Sequence, residues 1–221
     1  MKNFYKITVF IALIAIIVFS GTACSKKEGG AASVGRASPA SDFSYKLTTD
    51  GKGIIITGYT GNGGAVVIPS AIEDIPVLEI GNMAFRGGGS EPKSSDSITS
   101  IAVPDSVIKF ETSYDSSLAF NYMANLNSVR LPDGIKHIPI GTFSNNKKLK
   151  KVNLPASLES IGVGAFAGCV ELSELEIPAS LTKLEIFNPS NLIIKNILTD
   201  CEKLPIKTRQ RLLELGLQEN F

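Results

Sequence analysis

The sequence predicts a β-rich solenoid. About five coils of ~23 residues stack so that a parallel sheet covers one side, with a β-hairpin closing the N-terminal end and a helix closing the C-terminal end. Three observations carry this. Five prolines share one phase: Pro69, Pro104, Pro132, Pro155 and Pro178. Apolar residues keep fixed distances from each of them. An Ile-Gly-x-x-Ala-Phe signature follows the turn in the best-formed coils, at Ile80 to Phe85 and Ile161 to Phe166.

The last two proline intervals are 23 residues each, and the earlier ones, 35 and 28, leave room for insertions. Three residues before each proline come Val66, Ile101, Val129, Val152 and Leu175; one before come Ile68, Val103, Leu131, Leu154 and Ile177. Three after come Ile72, Val107, Ile135, Leu158 and Leu181; six after come Ile75, Phe110, Ile138, Ile161 and Leu184. Alternation such as Val152-Asn153-Leu154 has the period of a half-buried strand, and the proline ends it because it has no N–H for the ladder. Phe120, Phe143 and Phe187 read as weaker versions of the phenylalanine plug that fills the back of each coil. One coil cannot repay the entropy of ordering itself, so the units must fold as a cooperative stack.

These columns resemble the bacterial BspA-like, or Treponema-type, leucine-rich repeats, whose unit runs Leu-x-x-Ile-x-Ile-Pro-x-Ser-Val-x-x-Ile-Gly-x-x-Ala-Phe-x-x-Cys. VNLPASLESIGVGAFAGC, from Val152 to Cys169, matches it nearly throughout, and Ile56 to Phe85 looks like the family's first repeat. The resemblance covers about Gly53 to Asn188 and is loosest between Pro104 and Phe143. It implies a leucine-rich-repeat solenoid and a surface protein that holds host matrix proteins or other bacteria.

The N-terminus reads as an export signal. Two lysines precede an apolar run from Ile7 to Phe19, broken only by Thr8, and Ser20-Gly21-Thr22-Ala23-Cys24 follows. The run is 13 residues, short of the ~18–20 that a spanning helix needs. Small residues before a cysteine resemble the lipobox, in which that cysteine becomes the lipidated mature N-terminus, although Gly21 stands where a leucine is usual. An ordinary secretory signal cut near Ala23 is the alternative. The division expected is a signal peptide (1–23), a lipid-anchored flexible tether (24–41), an N-terminal β cap (42–65), the solenoid (66–188) and a C-terminal cap with a helix (189–221). The hairpin pairs Phe43–Thr48 with Gly53–Tyr59 across Asp50-Gly51, and the helix runs from Leu204 to Leu217 with Ile206, Leu212 and Leu213 as its apolar residues. That helix could instead bind a partner. The insertion Arg86–Ser97, without apolar content, is expected as an exposed loop. Cys169 and Cys201 read as small buried hydrophobes, with a disulfide as the alternative in an oxidising compartment.

Composition excludes several functions. With 22 Lys plus Arg against 21 Asp plus Glu, no field of one sign steers the chain to nucleic acid. Without Lys2 and Lys6 the balance is 20 to 21, so charge attraction to anionic lipid adds nothing to anchoring. The one histidine, His137, stands five residues after Pro132, in a column with Asp74, Lys109, Ser160 and Lys183. A column that changes chemistry at each step reads as a solvated face. No catalytic residue, metal ligand or cofactor is expected, and the chain reads as a monomer and not an enzyme.

What remains is the strand face. Between the buried positions point Ser100 and Ala102, Ser128 and Arg130, Lys151 and Asn153, and Glu174 and Glu176. Charge grades from basic at Lys147, Lys148, Lys150 and Lys151 to acidic at Glu171, Glu174 and Glu176. These charges either solubilise the face or bind a partner. Ser128, Arg130, Lys151, Asn153, Glu174 and Glu176 are the candidate binding residues, and Cys24 is the candidate lipid-attachment site. The resemblance favours an outer-membrane or surface lipoprotein whose partner is a protein or matrix ligand; the alternative is a periplasm-facing scaffold of an envelope assembly.

Overall fold

The computed structural model describes residues 35–88, 93–184 and 203–215. In chain order its elements are β1 (Phe43–Leu47), β2 (Ile54–Tyr59), β3 (Gly64–Val67), β4 (Ala71–Ile72), β5 (Ile75–Ile80), β6 (Ile98–Ala102), β7 (Lys109–Phe110), β8 (Ser128–Arg130), β9 (His137–Ile138), β10 (Lys151–Asn153), β11 (Ser160–Ile161), β12 (Glu174–Leu175), β13 (Lys183–Leu184) and α1 (Ile206–Glu214).

One strand from each coil joins a five-stranded parallel sheet, ordered β12-β10-β8-β6-β3. The strands are short because the chain turns at the proline that follows. Their central residues, Val66, Ile101, Val129, Val152 and Leu175, point into the core with at most 2% exposure. After the turn, Ser106 Oγ donates to the Ser70 carbonyl at 3.2 Å, Ser157 Oγ to that of Ile135 at 2.8 Å, and Ser180 Oγ to that of Leu158 at 2.7 Å. In these three coils the serine two residues after the proline ties the turn to the coil before it, whereas Ala71 and Gly134 hold that place after Pro69 and Pro132.

A second set of parallel ladders runs through β2, β5 and β7 and through β9, β11 and β13, with an isolated bridge between Ser116 and Ile140. Here the sequence register needs one correction. Ile80, not Ile75, pairs with Phe110, and Glu79, not Asp74, pairs with Lys109. The five extra residues form a tight hairpin, in which Ile72 pairs with Ile75 around Glu73 and Asp74, both at positive φ. That hairpin shifts the ladder strand along the chain.

Phenylalanines fill the back of the coils. Phe85, Phe120, Phe143 and Phe166 are fully buried, and their rings stack in sequence with each centroid separation at 5.3 Å. Phe120 and Phe143 are plugs equal to the others, not weaker ones; Phe187 lies outside the described residues. A backbone ladder runs alongside: Phe85 N–H donates to Ala119 O at 2.7 Å, Phe120 N–H to Thr142 O at 3.1 Å, and Phe143 N–H to Ala165 O at 2.8 Å. Each coil thus shares both hydrogen bonds and ring contacts with the next.

At the N-terminal end β1 pairs antiparallel with β2, and Phe43, Tyr59 and Phe85 continue the aromatic column. The segment read as a flexible tether to residue 41 is held down in its last part. Ser38 N–H donates to Val67 O at 2.9 Å, Val67 N–H donates to Ser38 Oγ at 3.1 Å, and Ala40–Asp42 form a 3-10 turn. The outer edge of β3 offers unpaired backbone groups, and Ser38 takes two of them. At the other end Leu204 and Leu212 join the same core, and Thr208 Oγ1 donates to Leu175 O at 2.8 Å. Ile206, read as part of the apolar face of α1, is instead 76% exposed, because the helical period puts it on the side opposite the buried Thr208 and Leu212.

The Arg86–Ser97 insertion is also more ordered at its ends than an exposed loop. Asp96 accepts the N–H groups of Gly88 and Lys93 at 3.2 and 3.0 Å, and Ser95 is buried with its hydroxyl on Arg86 O. Asn125 Nδ2 donates to Asp96 O at 2.8 Å from the following coil. A single carboxylate ties the described ends of the insertion to each other.

Candidate binding face

Register places the outward residues of the front sheet in two rows. Ala65, Ser100, Ser128, Lys151 and Glu174 are partners in succession, and so are Val67, Ala102, Arg130 and Asn153. Side chains at such positions stand on one face of the sheet. The first three strands carry small side chains, apart from Val67 and Arg130. The last two carry Lys151, Asn153 and Glu174, and Asn153 and Glu174 are exposed. Glu176 is exposed just beyond β12, outside the paired stretch.

The charges are not independent. Lys151 Nζ lies 3.1 Å from Glu174 Oε2 across neighbouring strands. Arg130 is held more firmly: its Nη2 donates to both oxygens of Asp105 at 3.0 Å, and its Nη1 to Val103 O at 3.2 Å. Asp105 also accepts the Asp133 N–H at 3.1 Å. The Arg130 guanidinium, followed by that backbone N–H, holds the Asp105 carboxyl below its ordinary range against a smaller opposing cost of burial. Arg130 is therefore a fixed, directed cation, with its fork already engaged.

Elsewhere the predicted gradient dissolves into local pairs. Lys148 Nζ donates to Asn125 Oδ1 at 2.7 Å, and Lys203 Nζ sits 2.6 Å from Glu171, which lowers the Glu171 pKa. Lys147, Lys148 and Lys150 are exposed but lie outside the strands. The basic-to-acidic step survives on the sheet as Lys151 beside Glu174.

His137 differs from the solvated residue expected. It is half-buried on β9, and its Nδ1 lies 2.7 Å from Ser160 Oγ in the registered position of β11. Cross-strand neighbours in a parallel ladder approach this closely, so a column that varies in chemistry can still be a set of pairs. Glu79 and Lys109 form another, at 3.1 Å. Among the described residues, no group of three or more His, Cys, Asp or Glu could hold a metal ion. Cys24 and Cys201 lie outside the described residues; Cys169 is fully buried, with Sγ donating to Phe143 O at 3.2 Å.

Two features escaped sequence reading. Asp105, next to a proline, looks like any turn residue, and nothing short of the register reveals that it faces Arg130. Asn146 is fully buried with three hydrogen bonds. Its signal was present: it stands three residues after Phe143, as Cys169 stands three after Phe166.

A stack of such coils, with a parallel sheet on one side and buried aromatic plugs at the back, defines a leucine-rich-repeat protein. The family model for the BspA type leucine rich repeat region matches residues 66–193 in six copies, against the five prolines counted in phase, and the chain belongs to that family. The T. pallidum leucine rich repeat protein is similar at 27% identity, over 82% of this chain and 96% of that one, with a TM-score of 0.47. A leucine-rich repeat protein from Bacteroides ovatus is similar at 25% identity over 74% of this chain, with a TM-score of 0.54; this chain spans 44% of its length. No curated protein matches.

Proposed function

We propose that the chain is a lipid-anchored envelope protein of a bacterium whose strand face binds a protein or matrix partner in adhesion or host interaction. In this reading Cys24 carries the lipid, residues 66–188 are the platform, and the ends made by β1–β2 and by α1 are caps. The observation that carries it is the pair of rows on the front sheet. They set Ser128, Arg130, Lys151, Asn153 and Glu174 in fixed register on a rigid scaffold, with Glu176 beside them. A stiff array of outward side chains costs little entropy on binding, which favours recognition over chemistry. The family membership supports a repeat protein that binds proteins. No helix among the described residues is long and apolar enough to cross a membrane.

Fractionation tests the anchor. Cys24→Ser should move the protein from the membrane pellet to the aqueous fraction, and unchanged retention would overturn the lipid reading. Protease shaving of intact cells then separates a surface adhesin, which is cut, from a periplasm-facing scaffold, which is protected. Pull-down with the mature protein identifies the partner.

A further inference from the structure

The N-terminal end of the stack is not finished as the rest is. Leu47 is the registered partner of Ile54, and Tyr45 of Ile56, so these side chains share the core-facing side of the β1–β2 pair. Ile54 and Ile56 are fully buried, whereas Tyr45 is 39% and Leu47 52% exposed. Phe43, in the same row, is covered by Tyr59 and Phe85. The outermost row of the core therefore stands open to whatever lies beyond β1. Lys46, on the opposite side of the strand, reaches Glu111 at 3.0 Å, and the hairpin turn carries Lys52 beside Asp50. The rim is thus mixed in charge, and the opening itself is apolar with one phenol.

The chain upstream leaves from this same end. Ser38 is bonded to the edge of β3, and Asp42 O accepts the Thr60 N–H at 2.8 Å just before β1 begins. Cys24 is eleven residues before Gly35, which limits their separation to about 40 Å however the intervening residues are arranged. We propose that this open end rests on the lipid bilayer, with Tyr45 and Leu47 entering the interfacial layer. The proposal rests on the lipid-anchor reading given above. A tyrosine suits that depth because its ring is apolar and its hydroxyl stays wet. Two side chains offer too little area to hold a free protein on a membrane, but the anchor makes the contact intramolecular and raises its effective concentration to the millimolar range. Contact through this end would leave the front sheet clear for a partner.

The absence of tryptophan from the sequence gives a clean test. Leu47→Trp and, as a second position, Tyr45→Trp are each made in the lipidated mature protein and bound to phosphatidylethanolamine–phosphatidylglycerol vesicles, with Lys207→Trp on α1 as the distant control. Flotation scores the anchor, and emission with brominated lipid scores the contact. Flotation together with a blue shift and bromolipid quenching at position 47 or 45, absent at 207, is the expected result. Flotation with neither signal at 47 or 45 overturns the contact while the anchor stands. A protein that fails to float removes the anchor and the contact together. A blue shift that needs no vesicles and grows with protein concentration assigns the end to a second copy and overturns the proposal.

Discussion

Asn146 and Cys169 converge on one acceptor: the Phe143 carbonyl receives Asn146 Nδ2 at 2.9 Å and Cys169 Sγ at 3.2 Å. The two residues hold the same place in successive coils, three positions after the stacked phenylalanine. Each reaches back to the phenylalanine carbonyl of the preceding coil, since Asn146 also donates to Phe120 O at 2.7 Å. The polar end of this column is a ladder in its own right, and asparagine does more in it than cysteine because its Oδ1 takes the Met123 N–H at 2.7 Å.

Removing that amide should therefore be expensive. Asn146→Ala strands a buried N–H and a buried carbonyl, with an expected loss of about 2–4 kcal/mol from unmet hydrogen bonds. Asn146→Cys should recover part of it, because cysteine already serves one coil further on. Urea denaturation midpoints of the three proteins decide the matter; a loss below about 0.5 kcal/mol for alanine would mean the ladder is incidental.

The aromatic column makes a separate demand. Phe143→Ala, in the middle of the stack between Phe120 and Phe166, is expected to cost about 3–5 kcal/mol as a large truncation in a packed core. Tyr114→Ala is the matched control: Tyr114 is fully exposed, at 100%, and its loss should stay within about 0.5 kcal/mol. Equal melting temperatures for the two variants would contradict the role given to the phenylalanines.

How much of this was legible beforehand follows from which residues obey the repeat. The buried columns before and after each proline could be read because burial forces the same chemistry into every coil. Ile75 stood in the column that belongs to Ile80, because the inserted hairpin that pairs Ile72 with Ile75 moves the strand without breaking the apolar pattern; only the Ile-Gly-x-x-Ala-Phe signature aligns Ile80 with Ile161. Arg130 was picked out as an outward residue, yet its partner Asp105 was invisible, since the pairing spans 25 positions and depends on which strand lies beside which. Asn146 was missed for a different reason: an asparagine in a turn has many local explanations, and only its column distinguishes it. On the binding face, sequence could count outward positions but could not say which charges are already engaged.

That engagement has an acid signature. Asp105 is held below its ordinary value near 3.8, first by the Arg130 hydrogen bond. A depressed carboxylate stabilises the folded state above its unfolded pKa, and the contribution disappears as pH falls through the lower, folded value. Wild-type stability should accordingly fall from about pH 5 downward more steeply than that of Asp105→Asn, whose side chain does not titrate. At neutral pH the variant should be modestly weaker, because Asp105 is half open to solvent and the pair is partly screened. Parallel acid limbs for the two proteins, measured by urea midpoint, would show that the pair does not hold the turn.

The binding face is tested best where its charges meet. Lys151 and Glu174 pair across β10 and β12, both partly exposed, so their mutual attraction adds less than about 1 kcal/mol to folding. Exchanging them, as Lys151→Glu with Glu174→Lys, keeps the net charge, the ion pair and the buried neighbours Val152 and Leu175. Stability should thus be unchanged within about 0.5 kcal/mol. A partner that reads this face meets each charge in the wrong place, and like charges brought together cost affinity and slow association. Binding of the partner recovered by pull-down is expected to weaken at least tenfold, roughly 1.4 kcal/mol, with the effect shrinking as salt is raised. Deleting residues 89–92, which keeps Gly88 and Lys93 for their bonds to Asp96, supplies the contrast. Normal binding by the exchanged protein, together with loss of binding on the deletion, would move the recognition surface from the strands to the insertion.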